Sequence, residues 1–268
     1  MNNAGGLGVY IDALSGAELE EAVYPLTAAV ESIVAGLAPQ PPLGRVLALR
    51  LWELLRGLIQ RLEVRDRPVL VVVDDVYRAL GLEAAEAYTK RLYELLGRLY
   101  ELGAGPALVI AATSEGSSKR LLQRHSYASL RMVWNLPRSG LEELLAQTGA
   151  PIAPDEAWRV TGGNPRLLGR LAEHGWRPKQ LLEELAEQRI APALDRVGRE
   201  ALESLIEDPD SDPEAARVLE DHNLMIELGR ATSLSPPPPV DREMGVGRRW
   251  AWQAPAYRLA AKLLLGEP

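Results

Sequence analysis

The sequence predicts an α/β fold: a parallel sheet in the first half, helices in the middle, and a short strand pair near the end. Three observations carry this. Val69-Leu70-Val71-Val72-Val73 is an unbroken apolar run rich in β-branched residues, the pattern of a parallel-sheet strand buried on both faces. Similar runs alternate with helical leucine spacing as far as Leu136, as in βαβ units. After Pro137 the helical spacing takes over.

Hydrophobic residues make up 47% of the 268 residues, charged residues 25%, and the net charge is −7. That composition is globular and excludes a largely disordered chain. The length suits one large domain or two moderate ones. No apolar run reaches the roughly 18 residues of a membrane-spanning helix. The N-terminus lacks the basic flank and apolar stretch of a signal peptide. The expectation is a soluble, cytoplasmic protein with no membrane partner. The absence of Cys excludes disulfides, thiol catalysis and cysteine-ligated zinc. His125, His174 and His222 are far apart and show no ligand spacing, so they read as structural or exposed. The basic set is mostly arginine, with only Lys90, Lys119, Lys179 and Lys262 as lysines. An arginine-rich, cysteine-free chain with many prolines has a composition suited to a thermophile.

Gly8-Val9-Tyr10-Ile11-Asp12-Ala13 is a short apolar run before a Ser-Gly turn and reads as a strand. Ser15 followed by Glu18 forms a capping-box pattern and predicts a helix over 16–35. Ala38-Pro39-Gln40-Pro41-Pro42 breaks it. Leu47, Leu51, Leu54, Leu55, Leu58 and Leu62 predict a helix over 44–62. Arg67-Pro68 then turns into the Val69–Val73 strand, which ends in Asp74-Asp75. Leu92, Leu95, Leu96, Leu99 and Leu102 predict a helix over 83–102, stopped by Gly103 and Gly105-Pro106. Residues 107–112 read as a second buried strand, ending in Thr113-Ser114-Glu115, and residues 131–136 as a third.

Beyond Pro137, residues 139–148 and 155–160 read as helices. Gly162-Gly163-Asn164-Pro165-Arg166 opens another, with Asn164 as N-cap and Pro165 at the first helical position. Residues 178–205 read as helical, 207–213 as a polar break, 213–221 as a helix and 224–228 as a strand. A proline loop at 236–239, a returning strand at 250–253 and a helix over 255–265 complete the chain. Helices followed by a two-stranded hairpin predict a winged-helix module.

Asp74-Asp75 is the strongest chemical signal. Ligands in open α/β sheets sit at the carboxyl ends of strands. Two carboxylates there suit Mg²⁺, a hard ion that takes oxygen ligands. One would hold the metal, and the second could orient or deprotonate a water. The bland alternative is a solvated strand-end turn. Thr113 and Ser114 end the neighbouring strand, where hydroxyls could contact a terminal phosphate or equally form a polar turn. Arg166 sits at a helix start, where a guanidinium could reach phosphate oxygens or belong only to a well-capped helix.

These motifs occur in a fixed order: a strand ending in two Asp, a strand ending in Thr-Ser, then Gly-Asn-Pro-Arg. The set resembles the archaeal family of P-loop ATPases of the STAND/AAA-like kind, over nearly the whole chain from Gly8 onward. The resemblance implies a Walker B motif at Asp74, on the metal, and Asp75, the catalytic carboxylate, on the attacking water. It implies sensor 1 at Thr113 and Ser114, and a phosphate-contacting Arg166 in the sensor 2 or GxP region of a helical lid. It also implies a winged helix spanning Leu219-Glu220-Asp221-His222-Asn223-Leu224 and Gly245-Val246-Gly247-Arg248-Arg249-Trp250. The expected architecture is an ATPase-like α/β core over 1–137, a helical lid over 138–190 and a winged-helix domain over 191–268. The implied cofactors are ATP and Mg²⁺.

The sequence departs from the family in one major respect. The family's G-x-x-x-x-G-K-[ST] loop cradles phosphate with its amides and neutralises it with Lys. The first lysine here is Lys90, inside a helix beyond Asp75, so no such loop precedes Asp74. Gly5-Gly6-Leu7-Gly8 reads only as a flexible lead-in. In the family, the strand before the loop is central, and Gly8–Ala13 matches the strand after the loop's helix. The expectation is therefore a truncated core with an incomplete P-loop NTPase-type sheet, lacking one strand, one loop and one helix. A missing central strand leaves its neighbours with unpaired backbone groups. A longer natural protein, a second chain that donates strand and loop, and a closed-up, non-hydrolysing sheet remain three readings. Asp75 also stands where Glu is commoner, on a shorter arm.

The alternative function is a non-catalytic protein-interaction or DNA-binding regulator that uses the winged helix. Arg248 and Arg249, beside Trp250 and Trp252, form a candidate nucleic-acid contact; the bland alternative is a hairpin tip over buried tryptophans. From residue 190 onward nine Arg+Lys face fourteen Asp+Glu, whereas phosphate backbones call for a basic footprint. That balance favours a protein partner, through the winged helix or the open sheet.

Overall fold

In a computed structural model, the described residues are 6–16, 18–25, 28–36, 43–62, 66–114, 118–119, 122, 128–229 and 238–266. Gly5, the break at 38–42, Glu115, His125, and Pro236 and Pro237 lie outside them. The chain forms two compact units, residues 1–129 and 130–268.

The first unit is built on a mixed sheet of four strands, ordered β2-β1-β3-β4 among the described residues. They are β1 (Leu7–Asp12), β2 (Val23–Tyr24), β3 (Val69–Asp74) and β4 (Ala107–Ala111). β1, β3 and β4 run parallel, with Val9 opposite Val71 and Val71 opposite Val109. Asp12 is level with Asp74. Leu7, Val9, Ile11, Val69, Val71 and Val73 all point to one face, and all are buried. The helices of this unit are α1 (Leu19–Ala22), α2 (Ala28–Gly36), α3 (Leu43–Leu49), α4 (Leu51–Leu62), α5 (Val76–Leu80) and α6 (Leu82–Glu101).

Two close approaches fix how the helices meet the sheet. A Cβ on Gly44 would lie 1.8 Å from the Asp12 carbonyl oxygen, so only glycine lets α3 begin against the end of β1. The Gly44 and Leu43 amides donate there to the Ser15 and Gly16 carbonyls. On α6, Leu92, Leu95 and Leu99 are buried at the predicted spacing. The Tyr88 hydroxyl donates to the Ala48 carbonyl and ties α6 to α3.

Three expectations for this unit are corrected. Residues 16–35 are not one helix: α1 gives way to β2, which pairs antiparallel with β1, and α2 follows. Pro25 offers no amide to continue a helix, and Val23 and Tyr24 suit a strand. Ser15 is no helix cap, because its hydroxyl is buried without a partner among the described residues. β1 and β3 are buried on one face only, and β4 is fully buried on neither. Leu70 and Val72 are half-buried, and on β4 Leu108 and Ile110 are 57% and 40% exposed. The same correction applies to the second predicted strand, which is one of the two edge strands among the described residues.

The second unit is helical apart from one hairpin. Its elements are α7 (Arg138–Thr148), α8 (Pro154–Thr161), α9 (Pro165–Glu173), α10 (Pro178–Leu185), a π-turn over Ala186–Ile190, α11 (Ala191–Val197), α12 (Arg199–Glu207), α13 (Pro213–Asp221), β5 (Met225–Glu227), β6 (Trp250–Trp252) and α14 (Pro255–Leu265). β5 and β6 pair antiparallel, with Met225 opposite Trp252. Trp250 and Trp252 are buried among leucines of α9, α10, α12 and α13. The Trp252 indole donates to the Leu205 carbonyl. Asn164 caps α9 by accepting from the Leu167 amide, with Pro165 next in line, as the sequence predicts. Asp212 caps α13 in the same manner. The stretch 178–205 is interrupted at Gly198, whose φ of 82° separates α11 from α12.

The third predicted strand, 131–136, joins no ladder among the described residues; only Met132 shows an isolated bridge. Its polar groups are used within the second unit. The Asn135 side chain donates to the Gln253 carbonyl and accepts from the Asn164 side chain. The Leu136 amide donates to the Gly163 carbonyl. Extended sequence preference is satisfied there without a sheet.

Candidate functional site

The carboxyl ends of β1, β3 and β4 bring together Tyr10, Asp12, Asp74, Asp75 and Ser114. Parallel register does this: residues level at one end of three strands stay level at the other. Both oxygens of Asp74 accept a hydrogen bond. The Tyr10 hydroxyl donates to Oδ2 at 2.9 Å, and the Asp75 amide donates to Oδ1 at 2.9 Å. Asp75 reaches that geometry through a left-handed backbone, φ 49°, which Asp tolerates better than most side chains. The Ser114 hydroxyl donates to Asp75 Oδ1 at 3.4 Å, a long contact. Thr113, one residue earlier, is half-buried.

The electrostatics follow from this crowding. Burial pushes the Asp75 carboxyl above its ordinary range, the Asp74 charge adds to that, and Arg78 and the Ser114 hydroxyl only partly offset it. Burial also pushes the Tyr10 hydroxyl up, to about 12, with the Asp74 hydrogen bond and charge adding to it. Tyr10 therefore remains a donor at any physiological pH.

At the C-terminal end of a parallel sheet, two adjacent carboxylates thus face a hydroxyl on the neighbouring strand. Residues 3–171 match the family model of an ATPase domain found predominantly in Archaea. The chain belongs to this archaeal ATPase-domain family. Comparison with curated proteins and with solved structures gives no match.

Family membership implies nucleotide and metal use, and the residues present fit the metal better than the phosphates. Asp74 and Asp75 offer the hard oxygen ligands that Mg²⁺ takes. Among the described residues no group of three or more His, Asp or Glu could hold a metal by itself, so water and phosphate oxygens would complete the shell. For an archaeal ATPase domain, the phosphate side departs from the expected motif: no lysine of the 268 residues follows a glycine. No described helix is long and apolar enough to cross a membrane.

The remaining predicted residues lie in the second unit. Arg166 is the second residue of α9 and is exposed. Arg249 pairs with Glu227 at 2.9 Å, and Arg248 is exposed. The amides of Arg248, Arg249 and Trp250 all donate to one carboxylate, Asp210, at 2.6–2.9 Å. Burial acts to raise Asp210, but these amides and Arg242 outweigh it and hold the carboxyl below its ordinary range. His174 pairs with Glu184, which also accepts from Arg170 at 2.6 Å.

Sequence reasoning did not single out Tyr10, Asp12 or Asp210 for these roles. Asp12 was findable, because it closes a strand in the way Asp74 closes β3. The contacts of Tyr10 and Asp210 span 64 and about 40 residues of sequence, and no local spacing signals them.

Proposed function

We propose that this chain supplies the metal-binding and water-orienting half of an ATP-hydrolysing site. The observation that supports this is the juxtaposition of Asp74, Asp75 and Ser114 across adjacent parallel strands in a member of an ATPase-domain family. Asp74, held by Tyr10 and by the Asp75 amide, holds Mg²⁺. Asp75 orients the attacking water. Thr113 and Ser114 contact the terminal phosphate. Bound Mg²⁺ would offset phosphate charge. The amide cradle and its lysine come from outside these 268 residues.

The raised carboxyl of Asp75 suits a residue that takes up a proton transiently. The test is Mg²⁺-dependent ATP turnover. The 268-residue chain alone should bind ATP no tighter than about millimolar, since no cradle is present. The chain supplied with a phosphate-binding segment should hydrolyse ATP and lose turnover in Asp75→Asn. Turnover that survives Asp75→Asn unchanged sinks the reading.

The second unit supports a companion role. We read its hairpin and flanking helices as a winged helix that docks a protein. Asp210 occupies the amide cluster at the turn, and Glu227 occupies Arg249, so the turn offers little free positive charge to a nucleic acid. Tight, steeply salt-dependent DNA binding lost in Arg248→Ala would overturn this choice.

A further inference from the structure

The outward face of α6 carries a bulge and a gap side by side. Tyr93 is 53% exposed and Tyr100 79%. Gly97 stands between them, four residues after one and three before the other, so the three share a face. Gly97 does not serve the packing of its own chain. Its backbone is helical, and a Cβ added to it would meet nothing within 4 Å, unlike one on Gly44. A glycine inside a helix weakens that helix relative to alanine. Bare backbone beside exposed tyrosines suits close approach of another surface, since tyrosine is enriched at interface cores. Around the helix, at about 100° per residue, Tyr93 and Tyr100 lie to one side of Gly97. Lys90, Glu94 and Glu101 lie to the other side, and all three are exposed.

We propose that this face of α6 pairs with the same face of a second copy of the chain, antiparallel, about a twofold axis level with the peptide between Leu95 and Leu96. A second copy follows from self-complementarity, which a twofold interface requires of each patch. With that axis, Tyr93 of one copy is level with residue 98 of the other and drops between Gly97 and Tyr100. Lys90 is level with Glu101 of the second copy. An axis perpendicular to both helices keeps each flank on its own side, so the tyrosine flanks meet and the charged flanks meet. The contact therefore holds two Tyr93–Tyr100 ring pairs and two Lys90–Glu101 ion pairs. Glu94 is level with Gly97 of the second copy, where the missing side chain leaves it room. A parallel pairing would instead set Lys90 against Lys90 and Glu101 against Glu101. Three turns of helix contact lie at the small end of specific interfaces, so the dimer should dissociate at about 10–100 µM.

Sedimentation equilibrium of the full 268-residue chain tests this. The expected result is a reversible monomer–dimer equilibrium, weakened about tenfold or more in Tyr100→Ser and in Gly97→Gln. Glutamine favours a helix, and its Cβ meets no neighbour within the chain. In dilute solution Gly97→Gln should therefore melt no lower than the wild type, which separates a lost interface from lost folding. Lys90→Glu turns two attractions into two repulsions and should weaken the dimer about fivefold at low salt. Adding Glu101→Lys to it should restore the wild-type affinity. A chain that stays monomeric at about 500 µM overturns the proposal. So does a dimer that keeps its affinity in both Tyr100→Ser and Gly97→Gln, or a double charge reversal that binds no tighter than Lys90→Glu alone. Assembly beyond two copies also overturns it, because a closed twofold contact stops at a dimer.

Discussion

The Tyr10 hydroxyl donates to Asp74 Oδ2 at 2.9 Å across adjacent parallel strands. It leaves the carboxylate with one oxygen braced from each side, since the Asp75 amide holds Oδ1. A carboxylate held in this way is pre-oriented rather than free to rotate.

Tyr10→Phe should lower stability by about 1.5–2 kcal/mol, the lower range for a hydrogen bond to a charged group. The pH dependence adds a second check. The folded-state value lies near 12, above the ordinary 10.0. Its contribution is therefore complete below pH 10 and lost as pH rises toward 12. Urea unfolding of the wild type should weaken over that window, and Tyr10→Phe should lack that part of the slope.

Asp75→Asn and Asp75→Ala should move stability in opposite directions. The raised carboxyl means that ionisation is penalised in the folded chain, so this group's stabilisation is greatest at acid pH and falls as pH rises through the raised value. Asn removes the penalty and tolerates a left-handed backbone. Thermal unfolding at pH 7 should show Asp75→Asn slightly more stable than the wild type. Ala at φ 49° should cost about 1 kcal/mol. A destabilised Asp75→Asn would contradict the crowding described here.

Asp210→Ala should be among the costlier changes in the second unit, at about 2–3 kcal/mol, because three amide donors lose a charged acceptor. Since the Asp210 carboxyl is lowered, its contribution is complete above the ordinary carboxylate range and lost as pH falls through the folded value. Melting temperatures of wild type and variant should converge only as pH falls below the ordinary carboxylate value of 3.8 and through the lowered folded one. Gly247→Ala should give a similar loss, because its Cβ would lie 2.7 Å from Asp210 Oδ2.

Gly163→Ala should cost more than about 2 kcal/mol. Its φ is 79°, and a Cβ would lie 2.1 Å from the Leu136 carbonyl oxygen. Chemical denaturation checks this, with Gly149→Ala as the control. Gly149 has a similar φ of 61° but open space around it, so it should lose only the backbone penalty of about 1 kcal/mol.

Much of the fold was legible in the sequence because its signals are local. β1, β3, α6, α9, α13 and α14 announce themselves through strand runs, leucine spacing or a cap within three residues. That Asp74, Asp75 and Ser114 lie together was legible because each sits at or just past the end of one of two neighbouring strands. Residues 131–136 misled for the same reason. Their pattern is extended, and a pattern cannot say whether an extended segment finds a ladder or spends its polar groups on Gly163, Asn164 and Gln253.

By itself, then, the sequence determined the α/β character of the first half, the helical character of the second, the ordered motifs and the lack of a Gly-Lys loop within these residues. Those are properties of neighbouring residues. Only the tertiary structure decided that Val23 and Tyr24 pair with β1, that β4 is an edge strand among the described residues, that Tyr10 braces Asp74, and that Asp210 gathers the amides of residues 248–250. Each of those depends on register and packing between segments that no spacing along the chain encodes.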